Sequence, residues 1–342
     1  MKTNKFISFL KKPVVVLGIA ATAMLGACEN KGEDILDPIL PEPDGQALNE
    51  SFTEQLNERK ETFAFDVAEG GSWSSKSGTS TLSIPAEGLV DANGEPVTGS
   101  VDVTFIEIFG RADMLLGNKP TMGQMGDGTR ATLISGGEFY IEVKQDGEAV
   151  FMKENMGYQL QVKTDSLDMD MRIFGNANED CETADCDVVW EEEKNRGLEA
   201  VGQGADGTGG GQHAGTYYAF LNDFGWTNLD KWYSSDLPKT TVFVDVPEGY
   251  DDTNCAVYLS YDGEPAALAR FDTYFPEDEL FSEHYGMMPI GIDVHFIVVS
   301  IVDDEYHYAI QSATTTEDHV EVVDALMPTT ESELTQLIND LP

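Results

Sequence analysis

Basic residues are scarce in this 342-residue chain: 20 Lys and Arg stand against 62 Asp and Glu, a formal charge of −42. A chain so negative is repelled at long range by phosphate backbones, which excludes nucleic acid as a partner. Histidine is equally sparse. His213, His284, His295, His307 and His319 fall in no H-E-x-x-H or comparable metal spacing. No G-x-S-x-G elbow and no P-loop ending in Lys-Ser or Lys-Thr is present, so neither a hydrolase nucleophile of that type nor a phosphate cradle is encoded. Gly202-x-Gly204-x-x-Gly207 has the letters of a dinucleotide fingerprint, but further glycines stand where a helix should begin. These absences point away from catalysis; no catalytic residue is assigned. Long apolar runs are also missing. The one candidate, residues 13–26, is too short to span a bilayer.

That short run follows four lysines within residues 2–12, the positive-then-apolar order of an export signal. It ends in Leu25-Gly26-Ala27-Cys28, which resembles the lipobox of bacterial lipoproteins. The resemblance implies a lipoprotein signal peptide over residues 1–27, cleavage before Cys28, and acylation of that cysteine with chains such as palmitate. Two or three chains make detachment from the membrane negligible. Lys31-Gly32-Glu33-Asp34 looks like the acidic surface-export signal of Bacteroidota-type lipoproteins, so the expected location is the outer membrane, exposed at the cell surface. Removing residues 1–27 takes four lysines and no acid, leaving 16 basic against 62 acidic residues.

Residues 28–60 are polar with Pro38, Pro41 and Pro43 and read as a flexible stalk. Period-two alternation then dominates residues 61–164: Val101, Val103 and Phe105 share one strand face, Phe139, Ile141 and Val143 another, and Tyr158, Leu160 and Val162 a third. After Phe105 the alternation slips to Ile106 and Ile108, which suggests a bulge or a strand crossing between sheets. Residues 165–215 read as an acidic hairpin and a Gly-rich linker, half glycine between Gly202 and Gly215. Strands resume over residues 216–328. Among them Ile292 to Ile301 is apolar at both parities and should be central. Residues 329–342 form a short C-terminal helix, with Thr330 and Glu333 as a capping box and Leu334, Leu337, Ile338 and Leu341 on one stripe. The expected fold is all-β: two antiparallel Ig-like β-sandwich modules behind a signal peptide and stalk.

"SIPAEGLVDANGEPVTGSVDVTFIEI", "ADMLLGNKPT" and "LISGGEFYIEV" resemble the N-terminal module of uncharacterised Bacteroidota surface lipoproteins, and are distantly similar to ZU5-like β-sandwiches. "FGWTNLDKWY" and "TEDHVEVVDAL" are similar to the C-terminal half of the same lipoproteins. The likeness implies a fold and a location rather than an activity.

Three candidate sites stand out. With Cys28 acylated, Cys181, Cys186 and Cys255 remain in an oxidising compartment; Cys181 and Cys186 can close a small disulfide loop. Asn176, Asn178, Asp180 and Glu182, with Asp187 at the twelfth position, space oxygen ligands like a Ca2+ loop, although Cys181 stands where glycine should turn the chain. Residues 217–233 carry seven aromatics interleaved with Asn and Asp. There Trp226, Asp230, Trp232 and Tyr233 could stack on sugar rings, bind a protein partner, or simply seal one module against the next. The expected function is that of a lipid-anchored cell-envelope protein acting by binding or scaffolding, with an envelope protein or glycan as partner. A polysaccharide hydrolase, which needs two convergent carboxylates, and a calcium-dependent adhesive module are the alternatives.

Overall fold

The computed structural model describes residues 42–342 apart from 179, 182 and 203–213. The signal segment, Cys28, Glu182 and most of the glycine run lie outside the described residues. Among the described residues the fold is predominantly β, with several sheets and three helices. None of the described helices is long and apolar enough to cross a membrane.

Four larger sheets carry the architecture. An outer amino-terminal sheet orders Leu198–Gly202, Gly215–Leu221, Tyr158–Thr164, Ser80–Ile84 and Gly71–Ser74. An inner amino-terminal sheet runs from Glu61–Asp66 through Ser100–Ile108, Arg130–Gln145, Gly225–Trp232 and Arg172–Asn176 to Trp190–Glu192 and Met122–Gln124. Their facing residues, among them Leu82, Leu160, Tyr217, Val103, Phe139 and Leu229, share one core. An inner carboxy-terminal sheet (Leu268–Arg270, Cys255–Tyr261, Asp293–Val302, Glu305–Thr314, Met327–Thr329) packs in the same way on an outer one (Thr273–Phe275, Leu280–Pro289, Lys239–Asp245, His319–Val322).

A further core joins the two inner sheets. It takes Ile106, Ile108, Tyr140 and Phe174 from one, Ala256, Tyr258, Ile297 and Val299 from the other, and the buried faces of all three helices. The slip after Phe105 is therefore neither a bulge nor a crossing. Residues 102–108 pair with 144–138 in unbroken register, and Phe105 and Ile106 are both fully buried because the strand separates two cores. Within this sheet the register shifts instead between Asn228 and Asp230. Asp293–Val302 is apolar on both faces for the same reason, sending Phe296 and Val298 to one core and Ile297 and Val299 to the other.

Two expected boundaries move. Helix α1, Gly45–Glu58, occupies much of the expected stalk. Asp44 caps it by accepting from the Ala47 N–H at 3.0 Å, and Leu48, Phe52 and Leu56 form a buried i, i+4, i+8 stripe. The Asp44 N–H donates to the Ile301 carbonyl at 2.7 Å, so the chain is already pinned to the inner carboxy-terminal sheet there. The glycine run is not a linker between modules either. Gly202 and Gly215 are register partners in an antiparallel pair, and Gly215–Leu221 and Gly225–Trp232 complete the amino-terminal sheets. The change from one pair of sheets to the other falls between Trp232 and Lys239.

Helix α2, Arg111–Leu116, is almost wholly buried. Helix α3, Glu331–Asn339, opens with the expected capping box, and its Leu334 and Ile338 are fully buried against α2 and the inner carboxy-terminal sheet. Burial of each such side chain contributes about 1.5–3 kcal/mol. The buried Arg111 locks this end: it donates to Ser260 Oγ at 2.6 Å and to the carbonyls of Leu341 and Pro342.

Candidate functional site

The bulged strand Gly225–Trp232 distributes the aromatic segment over different surroundings. Trp226 is 5% exposed; its indole N–H donates to the Ala184 carbonyl at 3.1 Å, and the Lys119 ammonium sits 5.3 Å from its ring centre. Asp230 is fully buried. Asp230 cannot meet a ligand at the surface, and the small exposed part of Trp226 lines a separate hollow of about 370 Å3 with Asn222 and Phe224, so the expected binding group of Trp226, Asp230, Trp232 and Tyr233 is not assembled at one surface. Burial on both faces of the inner sheet is the reason. Tyr233 is half-buried and tilted against Tyr261, with ring centres 4.8 Å apart.

Trp232, at the strand's end, is different. It is half-buried and stands between two hollows. One, of about 640 Å3, is lined by Gln124, Asn176, Glu191, Glu192 and Lys194 beside the indole. The other, of about 420 Å3, has Arg172, Lys231, Tyr233 and Glu264 around the same indole. The ring is fixed from three sides. Its N–H donates to Glu192 Oε2 at 3.3 Å, it packs edge-to-face with Phe174 with centres 5.4 Å apart, and its far edge lies over Gly123. Lys231 is held by Asp168 at 2.7 Å, and that hydrogen bond raises the lysine's pKa. A fixed indole among carboxylates, amides and lysines can stack on an apolar ring face while its neighbours bond hydroxyls.

Asp230 belongs to a buried polar cluster with Glu138 and Lys119, neither of which the local sequence marks. Glu138 is fully buried, and neither of its carboxylate oxygens has a hydrogen-bond partner. Burial, then the nearby Asp230, holds its pKa well above the carboxylate range. Asp230 is raised by burial in the same way; one of its oxygens accepts from Asn228 Nδ2 at 2.7 Å. Lys119, 1% exposed, donates to the Cys186 carbonyl at 2.6 Å, and burial lowers its pKa to about 8. Lys119 and Glu138 stand in no local pattern; they are single ionisable side chains in a loop and a strand that converge with Asp230 beside the bulge.

Cys181 and Cys186 form a disulfide with Cα atoms 5.1 Å apart, and Cys255 is a buried free thiol. Two of the expected calcium ligands, Asn176 and Asn178, serve the backbone instead. Asn176 Oδ1 accepts from the N–H groups of Asn178 and Val189, both at 3.0 Å; Asn178 Oδ1 accepts from Asp180 N–H, and Asn178 Nδ2 donates to the Asp187 carbonyl. Asp187 Oδ1 lies 3.6 Å from Arg270. Among the described residues no group of three or more His, Cys, Asp or Glu converges as a metal site would.

No family model matches this chain, and no curated protein matches it in sequence.

Proposed function

We propose that this chain is a lipid-anchored outer-membrane protein, displayed at the cell surface through Cys28, that works by binding rather than turnover. Its two pairs of sheets are read as Ig-like β-sandwiches, the first ZU5-like, held as one block by the shared middle core. The observation that carries the binding reading is Trp232, a partly exposed indole braced by Glu192, Phe174 and Gly123 between two polar hollows. Side chains fixed before the ligand arrives lose little entropy on binding, so such a seat favours a small polyhydroxylated ligand, such as the end of a glycan chain. The lipobox resemblance at Leu25 to Cys28 supports the anchor.

Titrating the intrinsic tryptophan fluorescence with a panel of neutral oligosaccharides tests the seat. A saturable change that Trp232→Ala abolishes is expected; an unchanged titration in that variant overturns it. For the anchor, mass spectrometry of the mature amino terminus should find Cys28 acylated, and an unmodified terminus overturns that part.

A further inference from the structure

We propose that the solvent face of the outer amino-terminal sheet binds an extended, uncharged polysaccharide chain. The proposal rests on the binding reading above but concerns a different sheet. Burial alternates along every strand of this sheet, which fixes what points outward. Tyr217, Ala219 and Leu221 are buried while Phe220 is 51% exposed and Tyr218 half-buried. Register then aligns the outward residues in rows across the strands. One row runs Ser72, Ser83, Gln159, Phe220; the next runs Ser74, Thr81, Gln161, Tyr218. Rows in a sheet lie roughly 7 Å apart, and four strands span about 14 Å.

Those eight contiguous positions carry no charge, in a chain where 24% of residues are charged. The charged Lys163 and Glu199 stand only beside them. The side chains are also ordered among themselves. Ser72 and Ser83 hydroxyls lie 2.9 Å apart, Ser74 and Thr81 hydroxyls 3.0 Å apart, and Gln161 Nε2 donates to Gln159 Oε1. Each row thus offers hydroxyls, then an amide, then an aromatic ring.

The chemistry of the occupant follows by complementarity. A cationic partner would find its counter-charges elsewhere on this acidic surface, and an anionic one would be repelled by the molecule as a whole. A protein interface core is usually apolar and rich in aromatic anchors; six of the eight positions here are instead Ser, Thr or Gln. A neutral polysaccharide supplies what the rows lack: hydroxyls to bond the Ser, Thr and Gln groups, and apolar ring faces to lie on Phe220 and Tyr218. Desolvating neutral hydroxyls and amides that re-form hydrogen bonds costs far less than desolvating carboxylates.

The test is affinity electrophoresis of residues 42–342 through gels containing xylan, mixed-linkage glucan, mannan or starch, with polygalacturonate as the anionic control. Phe220→Ala, Tyr218→Ala and Trp232→Ala run alongside, each first checked for an unchanged melting temperature. Retardation by at least one neutral polymer and not by polygalacturonate is expected. It should weaken at least tenfold in the Phe220 and Tyr218 variants. Loss only in the Trp232 variant would overturn the sheet-face proposal while leaving the cleft reading intact. Absence of retardation by every neutral polymer would overturn it as well. So would a concentration-dependent dimer in sedimentation that Phe220→Ala abolishes, because the face would then be a self-association surface.

Discussion

The indole of Trp232 lies on the backbone of Gly123. A Cβ placed at residue 123 would come within 2.7 Å of both Cη2 and Cζ3 of the ring, and within 2.9 Å of Leu133. Glycine is needed here for close approach, since the neighbouring strand supports the ring from below. Gly123→Ala should therefore displace Trp232 and cost about 1–3 kcal/mol through overpacking. Acrylamide quenching should rise as the ring tips outward, and a variant with unchanged quenching and melting would show that the contact does not brace the indole.

Buried carboxyls set the pH dependence. In the unfolded chain Glu283 loses its proton near the ordinary 4.5, whereas burial raises it to about 8 in the folded state. Between those values the folded state holds a proton that the unfolded state has lost, so stability falls as pH rises, by about 1.4 kcal/mol per pH unit for each such group. Glu138 and Asp230 are shifted in the same direction by the same cause. Glu138→Gln and Glu283→Gln should each flatten the decline in denaturation midpoint between pH 5 and 8. An unchanged slope would mean that these groups titrate normally in the folded protein.

The Cys181–Cys186 bridge closes a short loop, and the Ala184 carbonyl inside that loop accepts the Trp226 indole N–H. Loop-closure entropy for so few residues gives about 2 kcal/mol. Cys181→Ser with Cys186→Ser should lower the melting temperature by a few degrees and red-shift tryptophan emission as Trp226 gains access to water. Stability without a spectral change would separate the bridge from the packing over Trp226.

Helix α1 provides a test of where the folded body begins. Phe52 is 5% exposed and Leu56 2%. Phe52→Ala should cost about 3–5 kcal/mol, measured by urea denaturation. A free stalk would tolerate the same change without effect.

Local pattern is short-range physics, and where one interaction dominated, the residues expressed it. Thr330 and Glu333 announced the helix cap because both partners lie within one turn. Alternation at Val101, Val103 and Phe105, or at Tyr158, Leu160 and Val162, marked strands with one apolar face. The stripe of Leu48, Phe52 and Leu56 is faint in the sequence, since three large apolar residues spread over 14 do not exceed what a polar tail contains by chance. The glycine run misled because its composition is that of a linker, and only pairing across it reveals a hairpin.

The sequence by itself determined a β-rich chain with a capped terminal helix, a strongly acidic surface and a cysteine pair close enough to bridge. Each of these depends on residues near one another along the chain or on composition alone. Tertiary structure alone decided that Trp226 and Asp230 are interior while Trp232 borders two hollows, that Lys119, Glu138 and Asp230 meet beside one bulge, and that uncharged residues from four strands form rows on one face. Those outcomes depend on which distant strands become neighbours, and pairing between residues tens or hundreds of positions apart leaves no periodic trace in either partner.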